Sequence, residues 1–310
     1  MSWVFLTDEH AYKLKKPLRY DRCDFSTPDL RRTNCDEEVR LNRRLAADVY
    51  LGVSAITRES NGRLALNGRG TPIDWVVRMR RLRAEHMLDA IITSRRTAIE
   101  EADIRASARH LAQFYLTAPP DPISGPAYRK LLEDGTRDDM QELLRPRYGL
   151  PGDRIEALAR GQIALLEQRA SLFDRRVQAD HIVEGHGDLR PEHVCVRPRP
   201  AIIDCLEFAK DLRVVDPVDE LTFLALECEH LGEPRVGMWF LDAYRHATGD
   251  EPPALLQDFY RVYRALRRAK IAACHLNDPT VRDQERFAAR ARDYLASVDP
   301  VKVDVNRAPV

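Results

Sequence analysis

The spacing of apolar residues changes once along the chain, near residue 83, and divides the sequence into two regions. Before it, a single helix is predicted from Pro28 to about Ala47, where Pro28 provides a typical first helical residue. The other apolar runs there are short, are separated by turn residues and are typical of β-strands: SWVFL, AYKLK, VSAIT, RLALN and DWVVRM. We therefore predict a small β-rich lobe over residues 1–82 and a larger, mainly helical lobe over residues 83–310.

Helical spacing continues through the second region, except between residues 182 and 208. The predicted helices run over about residues 84–93, 97–117, 126–134, 137–145, 153–175, 217–231, 235–248, 254–275 and 280–297.

Composition limits the classes of partner. Lys plus Arg and Asp plus Glu both number 49 in 310 residues, so no strong net field would attract nucleic acid or an anionic membrane. The sequence has neither a signal peptide pattern nor an apolar run of the ~18 residues that a membrane span needs. Its six cysteines show no CxxC pair. We expect a cytoplasmic protein with reduced thiols and with neither nucleic-acid nor membrane partners.

Candidate chemistry lies in the non-helical segment EGHGDLRPEHVCVRPRPAIIDCLEF, residues 184–208. Two apolar runs flank the turn RPRP and should pair as an antiparallel hairpin. Asp188 and His193 precede the first run and Asp204 ends the second, so the hairpin would bring the three together. Converging carboxylates favour a metal site. Each aspartate taken alone is equally well explained as a turn residue.

The same segment resembles a known family. HGDLRPEH, from His186 to His193, is similar to the catalytic loop HGDxxxxN of aminoglycoside and choline kinases and to HRDLKPEN of protein kinases. Asp204 resembles their metal-binding aspartate, and DPVDEL at 216–221 resembles a helix start in the family. Longer phrases, such as SWVFLTDEHAYKLKKP, resemble a bacterial branch often fused to a P-loop kinase domain. This chain has no GxxxxGK[ST] motif of its own.

The resemblance implies an α+β, two-lobed protein-kinase-like fold and a phosphotransferase that moves the γ-phosphate of ATP or GTP to a hydroxyl of a small molecule, with Mg²⁺ or Mn²⁺. By resemblance, Asp188 is the base or orienter for the acceptor hydroxyl and Arg190 steadies the transferred phosphoryl group. Asp204 binds metal, and Glu207 is a candidate further metal ligand. Backbone groups at a hinge would bind the adenine: those of Met79, Arg80 and Arg81.

The family also needs a strand lysine that is paired with a helix glutamate. Lys13 and Lys15 share one face of the second strand, and Lys13 fits the family pattern better, with Lys15 in reserve. Glu38 lies three residues before Leu41 on the helix and therefore faces inward, where a carboxylate needs a cationic partner. The alternatives are solvated edge-strand lysines and a glutamate at the rim of the core.

His193 departs from the motif, which has asparagine at that position. Imidazole is a poor partner for hard Mg²⁺ and a good one for Mn²⁺ or Zn²⁺. The site would then use a single metal ion, prefer a softer metal, or have lost turnover. Alternatively, the histidine only fills the space and binds no metal. The alternative function is a nucleotide-binding pseudokinase that regulates a partner, such as a separately encoded P-loop protein. A plain helical interaction protein would leave the converging acids unexplained.

The acceptor is expected near residues 118–150, a Pro-rich and then charged segment of the second lobe. Acidic residues there would suit a cationic acceptor, or they form a solvated helix surface: Glu133, Asp134, Asp138 and Asp139.

Overall fold

The computed structural model describes residues 1–20, 23–94, 99–278 and 281–301. The strands are β1 Ser2–Leu6, β2 His10–Lys15, β3 Arg19–Tyr20, β4 Cys23–Asp24, β5 Tyr50–Arg58, β6 Leu64–Leu66, β7 Thr71–Arg80, β8 Val183–Glu184, β9 Val194–Cys195, β10 Ala201–Ile202 and β11 Val214–Val215. The α-helices are α1 Pro28–Ala46, α2 Leu88–Thr93, α3 Glu101–Thr117, α4 Gly125–Leu143, α5 Gly152–Gln168, α6 Ala170–Gln178, α7 Pro217–His230, α8 Pro234–Thr248, α9 Ala254–Cys274 and α10 Gln284–Ala296.

The chain forms two compact units. The first comprises residues 1–119, 184–215 and 227–250, and the second comprises residues 120–183, 216–226 and those from 251 onward. The predicted lobe boundary after residue 82 stays a prediction. Both the early strands and the segment that carries the candidate chemistry belong to the first unit.

The first unit is built on a five-stranded antiparallel sheet in the order β1-β2-β7-β5-β6. Helix α1 begins where the Thr27 hydroxyl accepts a hydrogen bond from the Leu30 backbone N–H, with Pro28 as its first residue. Its apolar side chains pack on the sheet around a buried cluster that includes Cys35, Val39 and Val77. The predicted first hairpin and the predicted helix are both present, α1 lies against β5 and β7, and the fold class is confirmed.

The predicted hairpin in the chemistry-bearing segment is also present. β9 and β10 pair antiparallel, with Cys195 opposite Ala201 and Val194 opposite Ile202. Both strands are fully buried. The residues just outside the pair, His193 and Ile203, are joined by a 2.9 Å hydrogen bond from the Ile203 N–H to the His193 carbonyl.

In the second unit, two of the predicted helices form a single helix, α4. The predicted break near Gly135 is wrong, because α4 continues through this glycine. The missing side chain leaves room for Tyr263, whose hydroxyl oxygen would lie 2.6 Å from an added Cβ. Conversely, the predicted helix over 153–175 divides at Arg169, whose φ of −123° and ψ of 36° are not helical. The predicted starts of two other helices, at residues 97 and 280, lie outside the described residues.

Buried ion pairs hold the first part of α7, up to residue 226, in the second unit. The Asp216 carboxylate accepts hydrogen bonds from Arg176 at 2.7 and 2.9 Å and caps α7 through the Val218 N–H. Asp219 accepts two hydrogen bonds of 2.6 Å from Arg264. Because unpaired charges are rarely buried, these pairs explain why the DPVDEL segment is polar yet lies in a core. No helix in the described ranges has the length and apolar character to cross a bilayer.

Candidate active site

Lys13 stands between two carboxylates. Its ammonium lies 2.8 Å from Glu38 Oε1 and 2.5 Å from Asp204 Oδ1. Lys13 lies on strand β2, and Glu38 lies at a fully buried position of helix α1. Asp204 lies two residues beyond the end of β10. The structure therefore pairs Lys13 with Glu38, as the sequence suggested, and joins both to Asp204.

Lys15 extends the same network on the other side of Glu38. Its ammonium lies 2.5 Å from Glu38 Oε2 and also contacts Glu207 Oε1. The side chain of Lys15 is fully buried, with Phe25 facing its ammonium at 5.6 Å. Each oxygen of Glu38 thus binds a different lysine, and Lys15 is an internal partner rather than an alternative to Lys13.

Charge alternates along this network, and the pKa shifts follow from that. Burial alone would lower the pKa of Lys13, but the carboxylates of Glu38, Asp204 and Glu207 outweigh it and raise the pKa well above its ordinary value. Burial would raise the pKa of Asp204, but Lys13 and the nearby histidines hold it well below the usual range. Burial together with Glu38 raises the pKa of Glu207, against the opposing effect of Lys15. Asp204 is therefore firmly anionic.

The loop before β9 places Asp188 by backbone geometry. Gly187 has a φ of 87°, a left-handed conformation that favours glycine. His186 is fully buried, bonds the Ile203 carbonyl through Nε2 at 2.8 Å, and accepts the Asp188 N–H at Nδ1 at 3.3 Å. The Asp188 side chain is 28% exposed, so its carboxylate can meet a substrate.

Gly187→Ala should lower the free energy of unfolding more than Gly62→Ala does. Both glycines have positive φ, which costs a side-chain-bearing residue about 1–2 kcal/mol. Only at Gly187 would the new Cβ also lie 2.9 Å from the Leu206 Cβ, and such overlap adds about 1–3 kcal/mol. A Cβ at Gly62 meets nothing within 4 Å. Urea unfolding of both variants measures the difference, and equal losses would contradict the close packing of this loop.

Asp204 itself has a left-handed backbone, with a φ of 64°. Such a conformation is uncommon outside glycine and clusters at functional sites. Three contacts hold it: the Tyr50 hydroxyl accepts the Asp204 N–H at 3.1 Å, and the Asn42 side chain accepts the Cys205 N–H at 2.9 Å. The Leu206 N–H donates to the His186 carbonyl at 2.9 Å. The Asp204 side chain stays 44% exposed, so it is fixed in place and still reachable.

His193 lies between the two aspartates. Its Nδ1 is 2.8 Å from the Asp188 carbonyl oxygen, and its Nε2 is 3.6 Å from Asp204 Oδ2. Arg190 contacts Asp188 Oδ2 at 3.1 Å through Nε. The structure thus brings together Asp188, Arg190, His193 and Asp204, whereas the contact that Glu207 makes is to Lys15. Within the described part of the chain, no three His, Cys, Asp or Glu side chains are grouped so as to hold a metal ion.

A cavity of about 400 Å³ opens beside Lys13 and Asp204. All three predicted hinge residues line it: Met79, Arg80 and Arg81. The N–H groups of Arg80 and Arg81 donate to the Val49 and Glu9 carbonyls, both at 2.8 Å. Its remaining walls are mainly apolar: Val4, Leu6, Ala11, Val49, Tyr50, Leu82, Met87 and Ile203. Glu192 and His193 also line it. Val4 and Leu6 are otherwise exposed on the edge strand, so the cavity accounts for their apolar character.

Sequence reasoning missed the residues that tie α1 to this segment. Arg213 is 3% exposed and donates to Glu37 at 2.7 Å, to Glu184 at 3.0 Å and to the Leu206 carbonyl at 3.2 Å. Arg44 of α1 donates to the backbone carbonyls of residues 184 and 185. An arginine in a polar loop carries no sequence signal of burial, and the periodicity of α1 points Glu38, not Glu37, toward the core, so no pattern in the sequence indicated this contact.

The fold is similar to those of solved choline and ethanolamine kinases. The structure is similar to a choline/ethanolamine kinase family protein from Mesorhizobium loti, with a TM-score of 0.50 and 14% identity over 96% of this chain and 84% of that one. It is equally similar to an ethanolamine kinase of Plasmodium vivax, with a TM-score of 0.50 and 10% identity over 93% of this chain and 75% of that one. The predicted resemblance is confirmed at the level of the fold.

By sequence the chain is similar to uncharacterized proteins of Mycobacterium tuberculosis and Mycobacterium bovis, with 34% identity over 271 residues, or 86% of this chain. The chain spans about half, 52%, of the length of each of these relatives. No protein-family model matches it. None of these comparisons supports a separately encoded P-loop partner, which stays a prediction.

Proposed function

We propose that the chain is a phosphotransferase that moves the γ-phosphate of ATP or GTP to a hydroxyl of a small molecule. The observation that carries the proposal is the position of Lys13, which is held by Glu38 and Asp204 at the edge of an apolar cavity. Apolar walls suit a nucleobase, and a fixed ammonium suits its phosphates. The cavity volume of about 400 Å³ falls in the range of small-molecule sites, ~300–1,000 Å³.

The residues present fit one divalent cation. Mg²⁺ commonly binds proteins through one or two carboxylates, with substrate phosphates and water completing its shell. Asp204 is such a carboxylate, because it is anionic, fixed by its backbone and partly exposed. Mg²⁺ or Mn²⁺ held there would neutralise charge on the nucleotide phosphates.

Each remaining side chain has a role in this proposal. Lys13 binds the phosphates, and Glu38 holds Lys13 in position from a fully buried site. Asp188 orients the acceptor hydroxyl and accepts its proton. Arg190, 18% exposed beside Asp188, places a permanent positive charge where the phosphoryl group would pass. Phosphoryl transfer needs mainly such positioning and charge neutralisation, so this small set is sufficient.

The acceptor site stays a prediction over residues 118–150. On α4, Lys130 contacts Asp134 and Arg137 contacts Glu133 at 2.7 Å, both one helical turn apart. Asp139 is fully buried and bound by Arg267 and Lys270, each at 2.7 Å. These pairings favour a structural role for the acids of α4 over recognition of a cationic acceptor.

A pseudokinase is the second candidate, and one observation favours it. The carboxylate of Asp188 is bound by Arg190, and Arg190 also reaches His193, so the base of the proposed reaction is engaged within its own loop. The two candidates differ in whether phosphate leaves the nucleotide.

ATP or GTP with Mg²⁺ or Mn²⁺ should raise the melting temperature, because a ligand that binds only the folded state stabilises it by about 2.7 kcal/mol at 100 times its dissociation constant. Differential scanning fluorimetry with each nucleotide and metal, and with a chelator, measures this shift. Asp204→Asn should abolish the metal-dependent part, whereas Asp36→Asn, an exposed acid on α1, should keep it. No shift with any nucleotide would contradict the proposed site.

A further inference from the structure

In the kinase loops that HGDLRPEH resembles, the asparagine at the last position holds a second metal ion. His193 stands at that position, and Arg190 lies beside the ring nitrogen that would face such an ion. We propose that the Arg190 guanidinium replaces that second cation, so that the nucleotide is bound with a single divalent ion per chain. This inference rests on the proposed nucleotide site, and it concerns the number of ions at that site and the residue that limits it.

The orientation of His193 decides which of its ring nitrogens can face an ion. Nδ1 lies 2.8 Å from the Asp188 carbonyl oxygen, and since a carbonyl only accepts, Nδ1 carries the hydrogen. The ring is 8% exposed and stacks on His186, with 5.8 Å between ring centroids. In the neutral ring, Nε2 is therefore the only nitrogen with a lone pair for a metal.

That nitrogen faces a cation already. The Arg190 Nη2 lies 3.3 Å from His193 Nε2 and can donate to its lone pair. The other two guanidinium nitrogens are also engaged, Nε with Asp188 at 3.1 Å and Nη1 with Glu192 at 2.5 Å. All three nitrogens are thus held by side chains of one loop, and the guanidinium is 18% exposed.

A divalent ion at His193 Nε2 would displace the hydrogen bond from Arg190 and lie beside a permanent positive charge. Arginine cannot release its proton in a protein, so this repulsion cannot be relieved by titration. Imidazole is in addition a weak ligand for Mg²⁺. The motif HGDxxxxN has an asparagine at this position, whose side-chain carbonyl would offer a hard oxygen ligand.

Arg190 therefore supplies locally the positive charge that a second ion would bring. Its single positive charge lies between the carboxylates of Asp188 and Glu192. Asp204 contacts Lys13 through Oδ1 and has Oδ2 on the side of His193, so Asp204 is the carboxylate that remains to hold the single ion.

Counting bound Mn²⁺ tests this inference. Purified chain is titrated with Mn²⁺ at a saturating concentration of a non-hydrolysable ATP analogue, and free Mn²⁺ is measured by electron paramagnetic resonance against a blank without protein. We expect one analogue-dependent Mn²⁺ per chain in the wild type, in His193→Asn, and in the control Arg63→Gln, which alters an exposed turn. The double variant Arg190→Gln/His193→Asn should bind two.

Each outcome has a distinct meaning. Two ions in the wild type, or two in His193→Asn with Arg190 intact, would overturn the inference and leave the nucleotide site standing. A folded double variant that still binds one ion would also overturn it. Analogue binding without any ion would overturn it as well, whereas no analogue binding at all would overturn the proposed function itself. The wild-type and His193→Asn counts decide the matter even if the double variant does not fold.

Discussion

Asp188→Asn is expected to reduce turnover by a factor of about 10²–10⁴, the usual contribution of a general base, while nucleotide binding remains. The substitution keeps the shape of the side chain and its capacity to accept from Arg190, and removes the charge that would take the proton of the acceptor hydroxyl. Nucleotide binding relies instead on Lys13 and Asp204. Phosphate release from ATP, with and without candidate acceptors, measures turnover, and the nucleotide-dependent melting shift measures binding.

Asp36→Asn is the control for this experiment, since that acid is 61% exposed on the surface of α1. Equal phosphate release by wild type and Asp188→Asn would exclude Asp188 as the base. If neither protein releases phosphate, although both bind nucleotide with metal, the pseudokinase candidate is favoured.

Lys15→Met should lower the free energy of unfolding by about 3–5 kcal/mol, the cost of removing one partner from a buried ion pair. Methionine fills a similar volume, but Glu38 Oε2 and Glu207 would lose the ammonium that now lies between them. Two buried carboxylates would then repel each other. Urea unfolding at neutral pH measures the loss, and Lys16→Met is the matched control. Lys16 is the next residue, and its ammonium lies over the half-exposed ring of Trp3.

Adding Glu207→Gln should recover part of this loss, because it removes the negative charge that would repel Glu38 once the ammonium of Lys15 is gone. A double-mutant cycle of the two substitutions gives their coupling energy. A loss below about 1 kcal/mol for Lys15→Met, as for an exposed pair, would show that Lys15 is not buried between the carboxylates.

The contribution of Lys15 also has a defined pH window. Burial alone would lower the pKa of Lys15, but Glu38 and Glu207 outweigh it and raise the pKa above its ordinary value. A raised lysine pKa stabilises the fold at pH values below that of an unfolded lysine, about 10.4, and this stabilisation is lost as the pH rises from there through the folded pKa. The difference between wild type and Lys15→Met should therefore be constant near neutral pH and shrink in strong alkali.

The local sequence determined much of the site. The turn between β9 and β10 spans few residues, so the placement of His193 beside Asp204 follows from strand pairing alone. Helical periodicity placed Glu38 on the inner face of α1, where it is fully buried. Periodicity predicts burial less well at the ends of a helix. Leu30 lies on the same face of α1 as Glu38, yet its side chain is 42% exposed because it lies in the first turn.

Only the tertiary structure decided which charges meet. Lys13 and Lys15 are equivalent by strand periodicity, yet one binds Asp204 and the other Glu207, partners 191 and 192 positions away. The burial of Arg213 beside Glu37 of α1 depends in the same way on how distant segments pack. Periodicity reports which face a residue shares with its neighbours in sequence. The partner of a long charged side chain depends instead on the approach of distant segments, which no local pattern records.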